Sequence, residues 1–261
     1  MFSSLLLLLS VATLGCALYV PIGTEFLLEK GPIKRIYGGK NTPIEKIPWQ
    51  VSLQNNGSHV CGGVIYSKNI IITAAHCVDK ENPRIFDVRV GSSTSNNGGS
   101  VIKVDKITVH DSYTSRSTVE YDIALLLLSS PLEMGPAVKA IPLAESVPND
   151  GAIVLVSGWG RTETEKVAKY LKSVYVNIVN REECATAYDD KQIPRATICA
   201  ASPGKDSCSC DSGGPLVYEG KLLGIVSYGR GCADPGHPGV YTNIVELRKW
   251  IKDEAKKLSS I

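Results

Sequence analysis

The sequence predicts an all-β domain, a barrel or a sandwich, closed by one helix at its C-terminus. Three observations carry this. Short alternations of apolar and polar residues recur from residue 48 onward. Clusters rich in Gly and Asn separate them, among them Asn55-Asn-Gly-Ser58 and Asn96-Asn-Gly-Gly99. Helical spacing is sustained only near the end, where Leu247, Ile251, Ala255 and Leu258 share a face between Lys, Asp and Glu.

In chain order, the first element is a targeting segment. Leu5 to Leu14 is an apolar run too short to span a bilayer. Small residues in Gly15-Cys-Ala17 resemble an A-x-A cleavage site, which places a signal peptide over 1–17. The run lacks a preceding Lys or Arg, and a buried N-terminal helix is the plain alternative. Residues 18–35 end in Gly31-Pro-Ile-Lys-Arg35, directly before Ile36-Tyr-Gly-Gly39. This reads as a propeptide cut after Arg35, leaving a mature domain over 36–261. Alone, the Lys-Arg pair would mean only a charged surface.

The strand candidates are Gln50–Gln54, Val88–Val90, Val101–Val104, Ile153–Val156, Val174–Ile178 and Leu222–Val226. Pro142 and Pro148-Asn-Asp-Gly151 mark a division near 140–150 into two similar halves. With 261 residues there is ample material for a core, and the net charge of +2 is spread along the chain. That excludes a basic nucleic-acid or membrane-surface binder. No later segment is long and apolar enough to be transmembrane. The expectation is a secreted, extracellular chain with no membrane partner.

Secretion decides how cysteine is read. Loss of Cys16 with the leader leaves an odd number from the eight in the sequence, so at least one is unpaired or bonds another molecule. Zinc is disfavoured, because Cys208-x-Cys210 has no second close pair of Cys or His.

Three segments acquire meaning only together. Thr73-Ala-Ala-His76-Cys77 supplies a base. Asp122 opens the apolar run Ile123–Leu128, where a carboxylate is costly without a donor or cation beside it. Ser212 sits on the glycine-rich turn Asp211-Ser-Gly-Gly-Pro215, a setting that presents a hydroxyl among backbone N–H groups. These are a base, an orienter and a nucleophile.

With Ile36-Tyr-Gly-Gly39, Gly158-Trp-Gly160 and Pro238-Gly-Val-Tyr241, these motifs make the chain resemble a trypsin-like serine protease of the chymotrypsin family, close to insect trypsins, over residues 36–254. The resemblance implies two packed six-stranded antiparallel β-barrels with a C-terminal α-helix. It implies a catalytic triad of His76, Asp122 and Ser212, and an oxyanion hole from the backbone N–H groups of Cys210 and Ser212. Asp206 at the base of the pocket, with Gly229 and Gly239 on its walls, implies cleavage after Arg or Lys. Tyr228 stands where the family has Trp. Activation after Arg35 would free the Ile36 amine to pair with Asp211. The implied disulfides are Cys61–Cys77, Cys184–Cys199 and Cys208–Cys232, which leaves Cys210 over; a swapped Cys210–Cys232 bond would displace the pocket.

The resemblance further implies polypeptide substrates, protein protease inhibitors as partners, no cofactor, and a monomer unless Cys210 forms an intermolecular disulfide. Residues 91–103 lack the acidic pair for calcium, so no metal is expected. His59, His110 and His237 read as structural or solvent-facing. Asn56-Gly-Ser58 is an N-glycosylation sequon on a turn.

Cys210 is the departure that matters. Glycine suits this position because a Cβ disfavours the backbone conformation that aims the N–H into the site. Cys keeps the donor at a steric cost of about 1–3 kcal/mol. The expectation is an active but slower, inhibitor-resistant enzyme. The alternative is a catalytically impaired homologue serving as a binding module.

Overall fold

The structure is a computed structural model; it describes residues 39–114, 119–161, 165–189, 193–203, 210–231, 234 and 236–260. The first barrel closes in the order β2 (Gln50–Asn55), β3 (Ser58–Ile65), β4 (Ile70–Thr73), β7 (Ala124–Leu128), β6 (Ser100–Val109) and β5 (Phe86–Val90), all antiparallel. The second is built from β8 (Ile153–Gly158), β9 (Lys172–Val179), β10 (Thr197–Ala201), β13 (Gly239–Asn243), β12 (Lys221–Tyr228) and β11 (Pro215–Tyr218), and β8 closes it by pairing with both β9 and β11. A short strand, β1 (Lys40–Asn41), adds to β9. The predicted all-β architecture of two six-stranded barrels is borne out.

Alternation explains how each barrel fills. In β5, Phe86, Val88 and Val90 point inward and join Val51, Leu53, Ile71, Val104 and Leu126. The second barrel encloses Val154, Val156, Val174, Val176, Leu216, Leu223 and Tyr241. A third apolar layer lies between the barrels. Val64, Ile72, Leu125, Leu222 and Ile225 meet there with the stripe of α2 (Ile244–Leu258). This is why β7 reads Ala-Leu-Leu-Leu-Leu without alternation. Its even positions fill the first barrel, while Leu125 faces the layer between the barrels.

Helix α2 begins where the Asn243 side chain accepts a hydrogen bond from the Val245 N–H at 3.0 Å. Glu246 in its first turn and Lys256 and Lys257 in its last suit the helix dipole. Leu247, Ile251, Ala255 and Leu258 are all buried, as their spacing predicts. A second helix, α1 (Arg181–Ala187), was not predicted. Its seven residues are too few for a periodic signal, and Asn180 caps it by accepting from the N–H groups of Glu182 and Glu183. No helix among the described residues is long and apolar enough to cross a membrane.

Candidate active site

His76 follows β4, and Asp122 immediately precedes Ile123 and β7. β4 and β7 are paired, with Thr73 opposite Ala124, so the two residues emerge side by side at one barrel end. His76 Nδ1 lies 2.7 Å from Asp122 Oδ2, and the His76 backbone N–H donates to Oδ1 at 2.9 Å. The Ser227 hydroxyl donates to Oδ2 at 2.6 Å. Asp122 is buried, whereas the His76 side chain is one-third exposed. A carboxylate held by three donors orients an imidazole that is partly open to solvent.

The peptide around Asp122 is fixed as firmly as its carboxylate. The Thr242 hydroxyl donates to the Asp122 carbonyl at 2.8 Å. Ile123 N–H reaches back to the Tyr121 carbonyl at 2.8 Å. Tyr121 adopts φ +51°, rare for an aromatic residue, and its ring stacks on His110 with centroids 4.7 Å apart. His110 also meets Trp250 of α2 at 4.7 Å.

The Ser212 turn connects into the first barrel by close backbone contact. The Gly62 N–H donates to the Ser212 carbonyl at 2.8 Å, and the Cys77 sulfur lies 3.8 Å from the same oxygen. This sets the Ser212 loop against the segment that carries His76. A Cβ on Gly62 would stand 2.8 Å from the Gly214 Cα, and one on Gly213 would stand 2.3 Å from Thr73 Oγ1. Glycine at 62 is a matter of space, and at 213 of space together with a left-handed backbone at φ +77°. Asp211 is fully buried, and the Gly160 N–H donates to its Oδ1 at 2.7 Å.

Cys210 is buried with φ +74°. A side-chain-bearing residue therefore occupies the left-handed region that glycine favours. The Cys210 carbonyl is held by His59 Nε2 at 3.0 Å. A carbonyl only accepts, so Nε2 carries the imidazole proton, and Nδ1 lies 2.8 Å from the Ser52 hydroxyl, whose single proton is shared with the Ser95 carbonyl at 3.0 Å. His59 is thus a buried neutral clamp on this loop. Sequence reasoning placed it among structural histidines and missed the connection, as it missed Ser52 and Ser227.

Burial pulls the His59 pKa down to about 4, partly opposed by the bond to the Cys210 carbonyl. Between pH 6.5 and 4 the unfolded chain binds a proton that the folded chain refuses. Stability therefore rises with pH through that window and is level above it. The span is worth about 3 kcal/mol. Urea denaturation from pH 4 to 7 is expected to show this slope, and His59→Gln is expected to flatten it. An unchanged slope in the variant would place the acid sensitivity elsewhere.

Disulfides join Cys61 to Cys77 and Cys184 to Cys199; Cys210 is in neither. Among the described residues, the one trio of His, Cys, Asp or Glu side chains close enough to share a metal ion is Cys61, His76 and Cys77, whose sulfurs are bonded to each other. At the end of β12, Tyr228 packs edge-on to Tyr188, and burial together with the charge of Glu120 raises its phenol pKa. A Cβ on Gly229 would stand 4.0 Å from both the Gly239 Cα and the Tyr188 hydroxyl, so the two glycines face each other across a narrow space. Arg35, Ile36, Asp206, Cys208 and Cys232 lie outside the described residues, as do segments 1–17 and 18–35.

Comparison with known proteins agrees with this geometry. The trypsin family model matches residues 36–251. Trypsin iota of Drosophila melanogaster is 44% identical over 227 residues, covering 86% of this chain and 90% of its own. Hypodermin-A of Hypoderma lineatum is 46% identical over 229 residues, covering 86% and 89%. Among solved structures, neuropsin, a serine protease expressed in the limbic system of mouse brain, superimposes with a TM-score of 0.77 at 33% identity, over 84% of this chain and 99% of that one.

Proposed function

Since the chain belongs to the trypsin family and is a serine endopeptidase, we propose that it is a secreted zymogen which, once cut after Arg35, cleaves peptide bonds following Arg or Lys. The observation that carries the mechanism is the His76–Asp122 pair, tied by Ser227 and set against the Ser212 loop. Ser212 Oγ attacks the scissile carbonyl while His76 takes its proton. His76 then returns that proton to the leaving amine, and the acyl-enzyme is hydrolysed by water along the same route. Asp122 holds Nδ1 protonated, so that Nε2 is the base. The Cys210 and Ser212 N–H groups stabilise the oxyanion.

Asp206 supplies the pocket charge that selects a cationic side chain. The opposed Gly229 and Gly239 leave room for a long one. Ile36 supplies the cation that a fully buried Asp211 requires. Because Arg precedes the cut, the active enzyme can process its own zymogen.

The second reading, an impaired homologue, is favoured by one observation, the left-handed backbone at Cys210. Strain there can be relieved by turning the peptide away, which would cost about 10²–10³ in rate. The bond from His59 holds the Cys210 carbonyl and so anchors the following peptide of the turn. We expect the cost to fall on stability rather than on rate. After cleavage at Arg35, the natural chain should hydrolyse Arg- and Lys-terminated amides, with Cys210→Gly raising kcat no more than about tenfold. No turnover in the natural chain, with recovery in the variant, would establish the impaired reading. Preference for aromatic substrates would remove Asp206 from the pocket.

A further inference from the structure

We propose that Asn56 carries an N-linked glycan that stands beside the Ser212 loop as a steric guard against folded proteins; this rests on the reading of the chain as secreted. Asn56-Gly57-Ser58 is the sequence's single Asn-x-Ser/Thr triplet. It forms the tip of the β2–β3 hairpin, where Asn55 pairs with Ser58. Asn56 at φ +49° and Gly57 at φ +77° make the two-residue turn that Asn-Gly favours. Turn chemistry explains Asn and Gly but not the hydroxyl at Ser58. All three residues are exposed, and a Cβ on Gly57 would meet nothing within 4 Å. A sugar on Asn56 has open space around it.

The attachment is a group transfer from a lipid-pyrophosphate-linked oligosaccharide in the secretory pathway. The Asn56 Nδ2–C1 bond forms, the C1–O bond breaks with its electron pair leaving on the lipid pyrophosphate, and the proton lost by Nδ2 is taken up by that leaving pyrophosphate. The amide remains neutral, so the effect of the glycan is bulk rather than charge.

Its place gives that bulk a consequence. The hairpin runs directly into His59, which pairs with Gln54 and holds the Cys210 carbonyl at 3.0 Å. Three residues of strand cover about 10 Å, a distance that a branched glycan spans. A protein docking over the Cys210–Ser212 turn from this side meets the glycan, whereas a short peptide passes beneath it.

The test is expression of residues 1–261 in insect cells. The exported chain is expected to lose the mass of one glycan on treatment with peptide-N-glycosidase, with Asn56 converted to Asp. Ser58→Ala keeps the Asn-Gly turn and should be exported without the glycan, while Ser58→Thr should retain it. Export of an unmodified natural chain overturns the proposal and leaves secretion standing. Retention inside the cell overturns both. After activation, the natural chain and Ser58→Ala should hydrolyse a small Lys anilide equally. The variant should bind a Kunitz-type protein inhibitor at least about threefold more tightly. Equal inhibition of the two forms overturns the steric role.

Discussion

Asp122→Asn is expected to lower kcat by about 10⁴-fold with little change in KM or in stability. The magnitude is the family's own for this change, and the reason is local. Every group that meets the Asp122 carboxylate is a donor: the His76 backbone N–H, His76 Nδ1–H and the Ser227 hydroxyl. An amide offers an acceptor oxygen on one side and an NH₂ donor group on the other. The His76 backbone N–H cannot turn, so the amide oxygen must face it. The NH₂ group then faces Nδ1, which has to shed its proton and accept. That moves the imidazole proton to Nε2, where His76 can no longer take the proton of Ser212. The Ser227 hydroxyl can rotate, so the fold survives the exchange. Amidolysis and urea denaturation of the activated variant check both halves. A loss of less than tenfold would mean that Asp122 does not set the His76 tautomer.

How much of this was legible in the sequence depends on range. The stripe of α2 and the alternation in β5 are local periods, and the chain writes them openly. The catalytic segments were legible as motifs, because each combines several residue types in a short window. Ser227 was not, being a single polar residue inside an apolar strand, 105 positions from the Asp122 that it serves. His59 lies 151 positions from Cys210, and the hydrogen-bonding room for it is created only when β3 packs against the Ser212 turn. No local period records such a pairing. Helix α1 was missed for a related reason. Arg181 fastens it by donating to the carbonyls of Ile193, Pro194 and Thr197, all of which come later in the chain. Asp122 stood between these cases. Its burial could be suspected from the apolar run that follows, but the three donors that make burial tolerable come from elsewhere.

Gly160→Ala carries the second large effect, with an expected loss of about 3–5 kcal/mol in stability and a fall in kcat/KM of about 10³-fold. Gly160 has no left-handed backbone, so alanine suits its own conformation. The obstacle is Asp211. The new Cβ would stand 2.2 Å from Oδ2, 2.3 Å from Cγ and 2.6 Å from Oδ1. Asp211 is fully buried between Cys210 and Ser212, so its carboxylate can move only by taking its neighbours with it. One movement therefore disturbs Ser212 and Cys210 together, the proposed nucleophile and oxyanion donor. The same packing bears on Cys210. Gly62, Gly213, Asp211 and the His59 clamp hold the turn from the Cys210 carbonyl onward, with Cys210 itself at φ +74°. On the proposed reading, a cysteine at 210 lowers stability within an intact loop, whereas an alanine at 160 is expected to displace the loop itself. Activity of Gly160→Ala within tenfold of the natural chain would show that Asp211 can leave its seat without moving Ser212. In that case the packing argument for an inward-facing Cys210 N–H fails as well.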